Sequence, residues 1–167
     1  MEEIVDTKSF VSTYLVEELF HDVDVDLSSF YFHRGSDGKL RSGPVWDFDL
    51  CAGNYNTVSS NDPGRLYTAE RSSWYSSLLG YGEFRAMVSE RLAETFDEIG
   101  RTLDGCLRFA DEHRSDFLRN YERWGILGKH TAMNPPALMA LDSWQEQVDF
   151  ASSWLHRSLD TMAREYL

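Results

Sequence analysis

Basic residues and cysteines are the two things this chain has little of. Its 16 lysines and arginines face 28 aspartates and glutamates, a net charge of -12, which disfavours binding to nucleic acid or to an anionic membrane surface through a basic patch. An acidic chain that handles phosphate needs metal ions. Cys51 and Cys106 lie far apart with no CxxC spacing, so neither a zinc cluster nor a disulfide framework is signalled, and two buried free thiols are expected. No apolar run approaches the roughly 18 residues of a membrane span. Met1-Glu2-Glu3 lacks the basic start of a signal peptide, so a soluble segment without a targeting signal is expected. HExxH and GxSxG are missing, and His21, His33, His113, His130 and His156 show no i,i+4 pairing, which reads as surface or hydrogen-bonded histidines. Asp22, Asp24 and Asp26 match the first three ligand positions of a calcium loop, but Leu27 stands for its glycine and His33 for its final glutamate.

What is present argues for a folded domain. Hydrophobic residues make up 42% of the 167 and aromatics 14%, enough for one domain over residues 1–167 with a sizeable core. Asp6 is placed to cap a helix over about residues 7–21, with Phe10, Val11, Tyr14, Leu15 and Leu19 on one buried face. A loop dense in carboxylates follows, Asp22 to Ser29. Phe30-Tyr31-Phe32-His33 then reads as a strand, Arg34 to Gly38 as a turn, and Lys39-Leu40-Arg41 as its pairing partner. From Cys51 to about Trp74 the chain reads as a long irregular segment, with Arg71-Ser72-Ser73-Trp74 a solvated loop. Beyond it, Phe84, Met87, Val88, Leu92, Phe96 and Ile99 mark a helix ended by Gly100. Leu103, Leu107, Ala110 and Leu118 mark a second over roughly 102–122. Gly125, Gly128 and Asn134-Pro135-Pro136 break the pattern before a last helix, from about Ala137 or Asp142 to the end. The fold class expected is α+β, mainly α, with a small β-hairpin.

The stretch Gly43-Pro44-Val45-Trp46-Asp47-Phe48-Asp49 carries the chemistry. Read as extended chain, it puts Asp47 and Asp49 on one wet face and Trp46 and Phe48 on a buried one. A strand end with solvated carboxylates is the plain alternative to a cation site. The order helix, acidic loop, hairpin, DxD decides between them, because protein kinases set out their phosphoryl-transfer residues in that order. One carboxylate there accepts the proton of the attacking hydroxyl and another holds Mg²⁺ against the phosphates. Asp24 and Asp47 are the candidates for these roles. Ser29 occupies the place five positions after the base where kinases keep a second metal ligand, and Asp49 is a further ligand, a supporting partner or structural.

These residues closely resemble the spore coat protein H (CotH) kinase family. The resemblance runs from Ser9-Phe10-Val11 through Tyr14 to Phe20, the Asp22-Val23-Asp24 loop, Ser28 to Phe32, Gly43 to Leu50, and Gly53-Asn54; Trp154-Leu155-His156-Arg157 resembles the family's Trp-x-x-Arg signature. It implies the helical carboxyl-terminal lobe of an atypical protein-kinase-like fold. It also implies ATP as co-substrate with Mg²⁺ or Mn²⁺, and phosphoryl transfer to serine or threonine hydroxyls of spore coat or surface proteins. By resemblance Asp24 is catalytic, Asp47 and Ser29 bind the cofactor, and Asp47, Asp49 and Ser29 hold the metal. The family places members in the spore coat and some outside the cell. Glu17 and Asp22 stand where the family often shows Asn, and Ser29 stands where it shows Asn or Ser; a hydroxyl is a weaker Mg²⁺ ligand than an amide or carboxylate oxygen. No GxGxxG or GxxxxGK[ST] occurs, so the chain resembles a lobe whose amino-terminal partner is missing, and by itself it is expected to be inactive. Two other classes fit the same residues: a non-catalytic kinase-like binding or adhesion module, and a metal-dependent phosphohydrolase.

Overall fold

A computed structural model describes residues 4–129 and 131–167. The signal-peptide reading of Met1 to Glu3 and the reading of His130 lie outside them. Helix α1 (Thr7–Phe20) starts where expected: Asp6 accepts a hydrogen bond from the Ser9 amide, and His21 closes the helix in the left-handed conformation. It is buried on more than the one expected face, because Thr13, Glu17 and Glu18 are inside along with Phe10, Val11, Tyr14, Leu15 and Leu19. The reason is its central position. Helices α5 (Gly82–Glu112) and α8 (Trp144–Tyr166) pack against α1 and against each other, and Val88, Leu92, Leu159 and Met162 close the core around Tyr14.

Strands β1 (Phe32–Arg34) and β2 (Leu40–Ser42) form an antiparallel hairpin with Phe32 opposite Ser42. The strands are one to two residues later than the sequence suggests. Residues 4–6 lie beside β2: Val5 bridges Leu40 in parallel, and the Asp6 amide donates to the Leu40 carbonyl at 2.9 Å. Arg41 ties the hairpin down by ion pairs to Asp6 at 3.0 Å and Asp37 at 2.7 Å.

Four expectations need correction. The stretch from Cys51 to Trp74 is not irregular throughout but holds short helices α2 (Val58–Asn61) and α3 (Tyr67–Arg71), and α4 (Ser73–Leu79) begins within it. Ser72 is fully buried there and caps α4 through the Tyr75 amide; Arg71, Ser73 and Trp74 are exposed as expected but belong to α3 and α4 rather than to a loop. Gly100 does not end a helix. Isolated glycine costs a helix only about 1 kcal/mol, and the apolar spacing that runs from Phe96 and Ile99 to buried Leu103 carries α5 through it to Glu112. The helix breaks at His113 instead, with α6 (Arg114–Trp124) following. The last two helical pieces are α7 (Pro136–Met139) and α8, the latter opened by a capping box of Ser143 and Glu146. Finally, Cys51 is buried but Cys106 is exposed, since Leu103 is the last buried residue of α5 and the helix beyond it stands outside the core.

Candidate active site

The site is built at the carboxyl end of α1, where the chain leaves the core through a series of tight turns. Asp22 stays buried and its Oδ1 accepts from the Asp24 amide at 3.2 Å. The Asp24 carbonyl in turn accepts from the amides of Leu27 and Ser28. This folds the acidic loop tightly and leaves Asp24 partly exposed. Asp26, in the left-handed conformation, turns away: it accepts from the Ser72 and Ser73 hydroxyls at 2.8 Å and from the Ser73 amide, which anchors the start of α4. Its role is structural, and spacing alone gave no sign of a partner 46 residues ahead.

The DxD stretch is not a strand. Asp47 sits in the left-handed conformation, φ 69°, ahead of a 3-10 turn, Phe48–Leu50. Left-handed backbone at a non-glycine residue is uncommon and tends to mark turns and functional positions. Trp46 is consequently 62% exposed rather than buried. Phe48 instead packs edge-on against Phe20 at the end of α1, 5.5 Å between ring centroids, and the Ala52 amide donates to the Phe20 carbonyl at 2.7 Å. These two contacts carry the motif back to the acidic loop.

There Ser29, also left-handed, donates its hydroxyl to Asp47 Oδ2 at 3.0 Å. Two of the residues singled out for the metal thus touch. Burial raises the proton affinity of Asp22, and the neighbouring Asp24 and Asp47 charges add to it. Asp49 is exposed within the 3-10 turn, and its carbonyl accepts from the Asn54 amide group at 2.7 Å. It borders a cavity whose lining does not include Asp47. Among the described residues no three His, Cys, Asp or Glu side chains converge to hold a metal. The donor set still suits Mg²⁺ or Mn²⁺, which accept hard oxygens, keep several waters and take one or two protein carboxylates beside substrate phosphates. A carboxylate with a hydroxyl bonded to it supplies that.

Beneath the loop lie acids that the sequence reading did not assign a role. Burial pushes Glu17 up to about 9, and the neighbouring Asp22 charge adds to the shift. Burial also raises Asp22, against the opposing pull of the Asp24 amide and of Glu17. Glu18 is fully buried, and burial moves it up to about 7 although it accepts from the Thr68 and Ala69 amides at 3.0 and 2.7 Å and from the Tyr14 hydroxyl at 2.9 Å. His21 is neither a surface histidine nor a satisfied one. It is 1% exposed, lies flat on Tyr67 and edge-on to Trp154, and neither ring nitrogen has a hydrogen-bond partner. Burial lowers it to about 4. The one signal available was the run Leu15-Val16-Glu17-Glu18-Leu19-Phe20, two acids inside an apolar helix.

Trp154 ties α8 to the segment that follows the DxD turn. Its indole N–H donates to the Asn61 carbonyl at 3.1 Å, and the α-carbon of Gly53 lies so near that an added Cβ would meet the indole ring at 2.8 Å. The DxD segment and the Trp-x-x-Arg signature therefore form one packed unit, with Arg157 exposed. A family model described as CotH kinase protein matches residues 1–157. The chain belongs to the CotH kinase family. No curated protein and no solved structure matches it. The match spans the acidic loop, the DxD turn and the signature tryptophan of the CotH kinase chain alike, so membership covers the whole packed unit and not the motif alone.

Proposed function

We propose that this CotH-family chain takes part in transfer of the ATP γ-phosphate to a serine or threonine hydroxyl of a protein, of the spore coat or a surface. The observation that carries the reading is the hydrogen bond from Ser29 to Asp47. It joins the acidic loop to the DxD turn at the place where phosphoryl transfer needs a base and a metal ligand side by side. Asp47 would hold Mg²⁺ or Mn²⁺ with Ser29 beside it, and Asp49 would add an outer contact. The metal, when bound, neutralises charge on the transferring phosphoryl group.

Asp24 accepts the proton of the acceptor hydroxyl as that oxygen attacks the γ-phosphorus and the bond to the β-phosphate oxygen breaks, releasing ADP. Asp22 fixes Asp24 by accepting from its amide, and the Asp22 amide in turn donates to the Glu17 carbonyl at 3.3 Å. Val45 and Trp46, just before Asp47, and Tyr31, whose carbonyl accepts from the Gly43 amide at 2.9 Å, are all 45% exposed or more. They suit a covering second lobe that brings the glycine-rich hairpin and lysine this sequence lacks. On that reading the chain alone transfers phosphate poorly or not at all.

The test is radiolabel transfer from γ-labelled ATP to a serine-bearing coat-type protein, by this chain alone and by a longer form that includes any upstream lobe. Transfer by the longer form that disappears in Asp47→Ala and Asp24→Asn supports the reading. Transfer unaffected by either substitution would sink it, and release of free phosphate without labelled protein would favour hydrolysis instead.

A further inference from the structure

Beside the DxD turn a cavity of about 530 Å³ opens between the 3-10 turn, the segment after α6, and α8. That is within the range of roughly 300–1,000 Å³ typical of ligand pockets. Phe48, Tyr121, Ile126, Leu138, Met139 and Phe150 supply apolar walls, and Asp49 stands at one edge. The side-chain amides of the walls, Asn54, Asn134 and Gln147, are engaged by neighbouring protein groups. Gln147 donates to the carbonyls of Leu138 and Leu141 at 3.1 and 2.9 Å, and Asn134 donates to the carbonyl and side-chain oxygens of Asn54 at 3.0 and 2.6 Å. Thr131 donates to the Asn134 side-chain oxygen, and Asn54 donates to the Asp49 carbonyl.

A nucleobase is read by hydrogen bonds to its edges, and walls whose amides are already engaged have few to offer. The two charged residues of the lining, Asp49 and Lys129, are of opposite sign, so the cavity has no net charge to draw in a phosphate. What remains is a hollow with largely apolar walls, lined by Ile126, which is 56% exposed, and reaching the DxD turn at Phe48 and Asp49.

We propose that this cavity selects the protein acceptor: it receives a leucine, methionine or phenylalanine side chain close in sequence to the hydroxyl that is phosphorylated. The proposal rests on the phosphotransfer reading for its meaning, but its test does not require transfer. Alanine-based peptides holding one serine, with or without a leucine or phenylalanine near it, are titrated into the chain and followed by amide chemical shifts. The apolar peptides bind at least about tenfold tighter than the all-alanine one, the scale on which hydrophobic pockets discriminate, and shift the amides of Ile126 and Met139. Ile126→Asp, at an exposed position, removes the preference, as does Ala151→Leu, which narrows the cavity from α8. Asp47→Asn keeps it. Equal affinity for all peptides overturns the proposal, as does a preference that survives both cavity variants, or adenosine shifting these amides where the apolar peptides do not. Failure of the phosphotransfer reading shows separately, as absence of label in any peptide while the binding preference stands.

Discussion

The Ser29 hydroxyl donates to Asp47 Oδ2 at 3.0 Å across 18 residues of chain, and both residues hold left-handed backbone to do so. The hydroxyl orients one carboxylate oxygen and leaves the other for a cation. Asp47→Asn is expected to abolish measurable Mn²⁺ binding by calorimetry or electron paramagnetic resonance. Ser29→Ala is expected to weaken it about 10- to 100-fold, the usual effect of losing a group that orients a ligand. Asp49→Asn is expected to change it less than either. Equal binding by the Asp47→Asn chain would remove Asp47 from the site.

Three buried titratable groups give the fold an unusual pH response. Glu17 and Glu18 have folded pKa values of about 9 and about 7, both above the ordinary 4.5. The native state therefore binds more protons than the unfolded chain above pH 4.5, and their contribution to stability is full below that pH and is lost as pH rises through the folded values. His21 acts with the opposite sign. Its folded value of about 4 lies below the ordinary 6.5, so its contribution is full above 6.5 and is lost as pH falls toward 4. Between about 4.5 and 6.5 these terms oppose each other, and above 7 Glu17 governs. Thermal melts should show stability falling from pH 7 to 9, flattened in Glu17→Gln. In His21→Phe, which keeps an aromatic ring between Tyr67 and Trp154, the fall should begin near pH 4.5. A flat profile for the unaltered chain would count against a protonated Glu17.

Glu18 is the pin that fastens α3 to α1. Its two carboxyl oxygens take the Thr68 and Ala69 amides and the Tyr14 hydroxyl, and Tyr14 is bonded in turn to Tyr166 near the end of α8. Glu18→Ala takes the acceptor from the buried Thr68 amide and the half-buried Ala69 amide, while Tyr14 keeps Tyr166; at about 1–3 kcal/mol per stranded donor, urea unfolding should show a loss of about 2 kcal/mol or more. Glu18→Gln keeps an acceptor oxygen and should cost less. Similar losses in the two variants would mean that burial volume, not the hydrogen bonds, is what matters there.

Gly53 has φ of 78° and lies against the Trp154 ring. Gly53→Ala incurs both left-handed strain and a clash, and a loss of about 1–3 kcal/mol is expected. Because Trp154 also donates to Asn61, the substitution should shift tryptophan emission toward the exposed value before global unfolding. Unchanged emission and stability would show that the segment yields without strain.

The sequence by itself determined the order of the first helix, the hairpin and the long later helices, and singled out the two loops proposed to carry the chemistry. Apolar spacing marked α1, α5 and α8, and turn residues at Gly35 to Gly38 marked the hairpin, because both signals are local and depend on period and backbone freedom. The carboxylates of Asp24 and Asp47 were legible for the same reason: their types and order stand in the chain. Only the tertiary structure decided what each acid does. Asp26 became an anchor for α4 and Glu18 an anchor for α3, since hydrogen bonds to residues some 50 positions away follow from packing and leave no periodic trace. Glu17 and His21 acquired shifted proton affinities because α1 is enclosed by α5 and α8, and desolvation is a property of the assembled core. The DxD turn likewise gave up its extended form to dock Phe48 on Phe20, and that docking, not the alternation of Trp46 to Asp49, brings Asp47 to Ser29.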